Sequence, residues 1–171
     1  PILAFKHNTN ASATITDSYY KVTSSDSPEF FTKLNDGTYT IEAIISTPDA
    51  LDRSVPVSTE AFNLMYMPEY NKYNIRTFNE NREWLHYDSF YTPSTSKYLH
   101  IVYVADVANG QLATTFVNGR HDGTYNKSPI SSLAPINNFT IGCAAASEDG
   151  QTPFCYGFDG NVVMVRVYDK A

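Results

Sequence analysis

The sequence predicts an all-β fold, a two-sheet antiparallel sandwich of jelly-roll type. Three observations predict it. Apolar runs are short, alternate, and are bounded by Gly, Pro, Asn, Asp or Ser. Aromatic residues are plentiful, with 13 Tyr and 10 Phe, and many lie in those runs, where they suit a pleated, half-buried surface. Almost nothing reads as helix. The one candidate, 48–62 (PDALDRSVPVSTEAF), is short and broken by proline, so it reads as loop. Many short strands at close spacing form a sandwich or jelly roll.

The N-terminal stretches ILAF and TITDSYYKV supply edge strands. Residues 39–46 alternate. Tyr39, Ile41, Ala43 and Ile45 fall on one face, Thr40, Glu42 and Ser46 on the other, with Ile44 interrupting. Residues 61–66 and 72–78 read as neighbouring strands joined by MPEYN. Residues 83–87 make a short strand before the polar loop SFYTPSTS. Residues 98–106 (YLHIVYVAD) are apolar on both faces, which predicts a mid-sheet strand covered on both sides. His100 opens it, and its ring is expected to bond a neighbouring backbone. ANG (108–110) turns the chain into 111–117. Asn118-Gly119 then ends that strand with two residues that tolerate positive φ, as a type I′ hairpin turn demands.

Residues 139–146 and 160–169 complete the set. In the last strand Val163, Val165 and Val167 are expected on one face, and Val162, Met164, Arg166 and Tyr168 on the other. Gly160 marks a bend or a close backbone approach.

Length and charge bound the rest. A chain of 171 residues reads as one domain, 1–171, long enough to bury a core without metal or disulfide help. The net charge is -6 and no basic stripe is present, so nucleic acid and anionic membrane are excluded as partners. No apolar stretch reaches the length of a span, which argues against membrane insertion. The opening at Pro1 and the abrupt end after VVMVRVYDKA read as a module excised from a larger protein.

Cys143 and Cys155 flank an Ala/Ser/Glu/Asp/Gly-rich segment. Their spacing suits a disulfide across the base of a loop, worth roughly 2–3 kcal/mol. The alternative is two reduced, buried thiols. Three glycosylation sequons, at Asn10, Asn126 and Asn138, favour the disulfide by pointing to an extracellular or cell-surface setting.

Catalytic signatures are missing. Glycan hydrolysis needs paired carboxylates, and on a strand face these stand two residues apart. No confident strand carries such a pair. Glu80 and Glu83 read as a loop entering a strand, and Glu42 stands alone as a polar residue on a half-exposed strand. His7, His86, His100 and His121 are scattered, without metal spacing. No G-x-S-x-G elbow is present. The expectation is a protein that is not an enzyme and requires no cofactor.

Four motifs in order resemble the concanavalin A-like lectin/glucanase superfamily, and its laminin-G-like modules in particular. They are DGTYTIEAIIS (36–46), LHIVYVAD (99–106), GQLATTFVNGR (110–120), and FTIG (139–142) followed by GFDGNVVMVRVYDKA (157–171). The second departs from the family pattern in having Tyr98 nearby where a Trp is usual. The resemblance runs from about residue 30 to the end and implies a concanavalin A-like sandwich. It also implies that a structural calcium is possible, with Asp36, Asp106 and Asp159 as candidate donors. Each of these reads more simply as a turn residue.

Such scaffolds host lectins, adhesion domains and glycanases, so function must come from the site. Sugar binding needs flat aromatic faces beside groups that bond hydroxyls. Segment 62–91 is the richest supply. Its candidate platform is Trp84, His86, Tyr87, Tyr66, Tyr70, Tyr73, Arg76, Asp88 and Tyr91, with Trp84 and His86 two apart on one strand face. Packing in the core is the competing reading for Trp84. A glycan is therefore the expected partner, with a protein receptor as the alternative, bound through loops near 118–128. A structural accessory role in a larger enzyme is the third reading.

Overall fold

The computed structural model describes residues 3–5, 19–46, 53–81, 83–91, 98–107, 111–123, 133–145, 157–158 and 160–171, with backbone alone at 3–5, 84–91, 111–113 and 122–123. The strands are β1 (Leu3–Phe5), β2 (Tyr20–Thr23), β3 (Thr38–Ser46), β4 (Ser54–Thr59), β5 (Phe62–Met67), β6 (Lys72–Phe78), β7 (Trp84–Tyr91), β8 (Tyr98–Asp106), β9 (Gln111–Val117), β10 (Arg120–Gly123), β11 (Asn138–Ile141) and β12 (Gly160–Tyr168). They form two six-stranded antiparallel sheets. The first runs β1-β12-β3-β8-β9-β10 and the second β2-β11-β4-β5-β6-β7. The two N-terminal strands are edges, as expected.

The inner faces supply the core. Tyr39, Ile41, Ala43 and Ile45 of β3 and Leu99, Ile101, Tyr103 and Ala105 of β8 meet Val57, Phe62, Leu64, Tyr73 and Ile75 of the second sheet. Each large apolar side chain so buried contributes roughly 1.5–3 kcal/mol. Part of the tyrosine surplus is spent here. The Tyr103 ring lies 4.5 Å from that of Phe62, and its hydroxyl bonds Thr77 Oγ1 at 2.7 Å. Burial pushes the Tyr103 phenol up to about 12. Burial also drives the Tyr39 phenol well above its ordinary value, with the neighbouring Tyr103 adding to the shift.

Several local expectations are corrected. An α-helix, α1 (Pro28–Asn35), follows β2. Pro28 suits its first turn, Glu29 and Lys33 complement its dipole, and Gly37 at φ 76° ends it. Asp26 braces the approach: Thr23 donates to its carboxylate through hydroxyl and backbone, which holds the carboxyl below the usual range. Part of the stretch read as loop is strand β4, buried throughout. It tolerates Pro56 because the β4–β5 register shifts between Ser54 and Val57, and the Pro56 carbonyl still accepts from Gly142 at 2.9 Å. Strand β7 runs to Tyr91, through the start of the expected loop. Strand β11 stops at Ile141, before Gly142 at φ 95°.

In β12 a bulge between Val162 and Met164 resets the alternation. Val162 therefore joins Val165 and Val167 on the core side, leaving Met164, Arg166 and Tyr168 outside. Strand β8 is mid-sheet, but its outer face is only half covered. Asn118 (φ 50°) and Gly119 (φ 75°) make the expected left-handed turn pair. A Cβ on Gly160 would lie 2.7 Å from Phe158 and 2.9 Å from Ser46 Oγ, so the close approach is real.

Candidate ligand-binding cleft

The described platform side chains of segment 62–91 divide between the core, the outer sheet face and a turn. Tyr66 and Tyr73 face inward, their rings 5.1 Å apart. Tyr73 is fully buried, and burial pushes its phenol well above the ordinary value. Strand alternation explains this: both pair across β5–β6 on the core side. Arg76 lies on the outer side but is only 3% exposed, in a buried row with Ser58 and Asn63. Its Nη2 is 3.8 Å from Met67 Sδ. Tyr70 alone among the platform side chains described is exposed, at 61%, in the turn after β5.

Trp84, His86, Tyr87, Asp88 and Tyr91 lie on edge strand β7, in register with Phe78, Thr77, Arg76, Ile75 and Lys72. The β6–β7 register shifts between Thr77 and Phe78. The side chains of β7 lie outside the described residues.

The outer face of the second sheet is covered at β4, β5 and β6. Val55, Met65, Met67 and Ala144 form a second apolar cluster there. The turn after β11 folds onto it: Ala145 N–H donates to Ser58 Oγ at 3.0 Å, and Thr140 Oγ1 donates to the Cys143 carbonyl at 2.7 Å. Cys143 is buried in this turn. Its expected partner, Cys155, lies outside the described residues.

Two of the three expected calcium donors, Asp36 and Asp106, fall within the described residues. Asp36 caps the end of α1, Asp106 ends β8 opposite Thr38, and Asp159 is outside the described residues. Among those described, no group of three His, Cys, Asp or Glu side chains could hold a metal.

An open cleft of about 450 Å³ lies instead between α1 and the C-terminal end of β12. Sequence reasoning missed it because its walls are distant in the chain. Phe30, Leu34, Tyr39 and Val167 make an apolar lining, and Ser27, Glu29, Lys33, Tyr168 and Asp169 add polar groups. The helix is seated by Phe30 against Phe139, with ring centroids 5.9 Å apart. Asn35 anchors its far end, donating to the Ile136 carbonyl at 2.9 Å and accepting from Ile136 N–H at 2.8 Å. The Ser27 hydroxyl makes no capping bond. Among the described residues Glu29, Lys33 and Asp169 form no ion pair. The lining thus offers donors, acceptors, an aromatic side chain and an apolar surface.

His100 also differs from expectation. His100 Nε2 lies 2.9 Å from Glu42 Oε1, a carboxylate rather than a backbone group. Tyr168 donates to Glu42 Oε2 at 2.7 Å, and Arg166 Nη1 is 3.7 Å from the same oxygen. The Tyr168 bond, then the His100 bond, holds the Glu42 carboxyl below its usual range. A strand-pairing argument could have found Arg166, which is directly opposite Glu42.

The chain matches the family model of the concanavalin A-like lectin/glucanases superfamily, laminin-G type, over residues 8–171. It belongs to that superfamily. No curated protein matches it in sequence. Solved structures share the fold at low identity. The CBM40 module of the Ruminococcus gnavus IT-sialidase, bound to α2,3-sialyllactose, is 15% identical with a TM-score of 0.65, over 99% of this chain and 92% of that one. A native heptameric SAP-like pentraxin from Limulus polyphemus is 16% identical with a TM-score of 0.59, over 79% of this chain and 65% of that one. The Streptococcus pneumoniae NanB sialidase, in its K499G mutant, is 14% identical with a TM-score of 0.66. That match covers 99% of this chain and 26% of the sialidase. No helix among the described residues is long and apolar enough to cross a membrane.

Proposed function

We propose that this chain is a non-catalytic, lectin-like carbohydrate-binding module of a secreted or cell-surface protein, and that the cleft beside α1 takes a sugar. The cleft carries the reading. A pyranose presents apolar C–H faces and hydroxyls that both donate and accept. The lining pairs Phe30 and an apolar surface with Ser27, Glu29, Lys33, Tyr168 and Asp169. Similarity of fold to a carbohydrate-binding module solved with sialyllactose supports the same reading.

A glycan array with and without calcium, followed by calorimetry on the hits, tests it. Tyr168→Ala and Asp169→Asn are expected to weaken binding by roughly tenfold or more, the loss of one or two good contacts. No binding on either array counts against the whole reading. Loss in Trp84→Ala with normal binding in Tyr168→Ala would move the site to β7.

A further inference from the structure

We propose that the cleft beside α1 selects uncharged sugars over acidic ones, and that Glu29 and Asp169 set this preference. The inference rests on reading the cleft as a sugar site. Floor and rim of the cleft differ. Leu34 and Tyr39 are buried, whereas Glu29, Lys33 and Asp169 stand exposed. A ligand thus meets charged groups at the mouth and an apolar surface beneath them. Two carboxylates against one ammonium leave that mouth net negative.

Lys33 by itself does not make a carboxylate receptor. Glu29 stands four residues before it on α1, a spacing that puts both side chains on one side of the helix. An anion drawn to Lys33 therefore also meets Glu29. Glu29 occupies the first turn as well, where the helix dipole would otherwise favour a bound anion. Asp169 adds its charge from the opposite wall, just past the end of β12. Outside the lining, Asp26 before Ser27 and Lys170 after Asp169 offset each other. Carboxylates are held best by the paired donors of a guanidinium. Among the described residues no arginine lines the cleft. Arg76 is buried in the second sheet, and Arg166 lies 3.7 Å from Glu42 on the outer face of the first.

A neutral sugar meets no repulsion here. Its hydroxyls donate to Glu29 and Asp169 and accept from Lys33, and bonds to ionised groups are stronger than bonds between neutral ones. A carboxylate on the sugar supplies no donor and adds like charge. At an open, solvated rim that repulsion amounts to a modest factor in affinity rather than exclusion.

Calorimetry with lactose, α2,3-sialyllactose and the carboxamide of α2,3-sialyllactose tests this. The last two differ by one charge at nearly the same shape. At about 0.01 M salt the carboxamide should bind the wild type roughly three- to tenfold more tightly than the acid. At about 1 M salt the screening length falls from roughly 30 Å to roughly 3 Å, and the two affinities should converge. The double variant Glu29→Gln/Asp169→Asn should make them converge at low salt too, whatever it does to both together. Lys33→Gln should widen the gap.

An acid that binds as tightly as its carboxamide at low salt overturns the proposal and leaves the sugar reading standing. A gap that the double variant leaves unchanged does the same. Binding of lactose with neither sialylated form also overturns it, because size and not charge then decides. If none of the three sugars binds the wild type, the sugar reading fails and the proposal with it.

Discussion

The two sheets share one core but treat their outer faces differently. The first sheet leaves His100, Val102 and Val104 half exposed and gathers Glu42, His100, Arg166 and Tyr168 into a network at the surface. The second buries β4, β5 and β6 on both sides, including Asn63, Asn74 and Arg76. Polar residues on a sheet face usually signal solvent. Here they signal it on one sheet only. Burial of a polar side chain is tolerable where hydrogen bonds replace water, as at Ser58, which contacts Asn63 and accepts from Ala145.

The largest contrast should appear between apolar truncations. Met65→Ala, in the covered face, is expected to cost about 2–5 kcal/mol by urea unfolding. Val104→Ala, on the half-exposed face, should cost under about 1 kcal/mol. Equal losses would mean that both outer faces are closed.

Two arginines sharpen the same comparison. Arg76→Ala should cost roughly 1–3 kcal/mol, because it empties a buried site and removes the contact to Met67 Sδ. Arg166 has a side chain 60% exposed, and Arg166→Ala should change stability by no more than about 0.5 kcal/mol.

The smallest effect concerns pH. The folded-state pKa of Glu42 is depressed, first by Tyr168 and then by His100. Its stabilising contribution is therefore complete above the unfolded-state carboxylate pKa. It is lost as pH falls through the lower folded value. The contribution should be no more than about 1 kcal/mol for so open a network. Glu42→Gln should remove this part of the acid dependence in unfolding experiments. An unchanged acid limb would show that the network contributes nothing.

Legibility in the sequence varied with how local the cause was. Strands β3, β5, β6 and β8 could be read because alternation and flanking turn residues lie within a few positions. The hairpin at Asn118-Gly119 could be read for the same reason. Helix α1 has its start and stop signals in Ser27, Pro28, Glu29, Lys33 and Gly37. It was missed because eight residues are too few for a helical period to stand out. Strand β4 was missed because Pro56 argues against a central strand, and only a bulge in its partner's register accommodates it. The inward turn of Tyr73 was not separable from an exposed platform, since an aromatic on a strand suits either face.

The sequence by itself determined the architecture: many short antiparallel strands, their approximate order, and membership of a concanavalin A-like family carried by four motifs. Alternation and turn chemistry act over a few residues and survive in a linear reading. Tertiary structure alone decided which outer face is covered, and where a bulge resets the alternation in β12. It also brought residues 27–34 against 167–169 to form a cleft, and Glu42 against His100 and Tyr168. Those contacts join positions 58 and 126 residues apart. Strand order in the sheet sets such distances, and no local pattern records them.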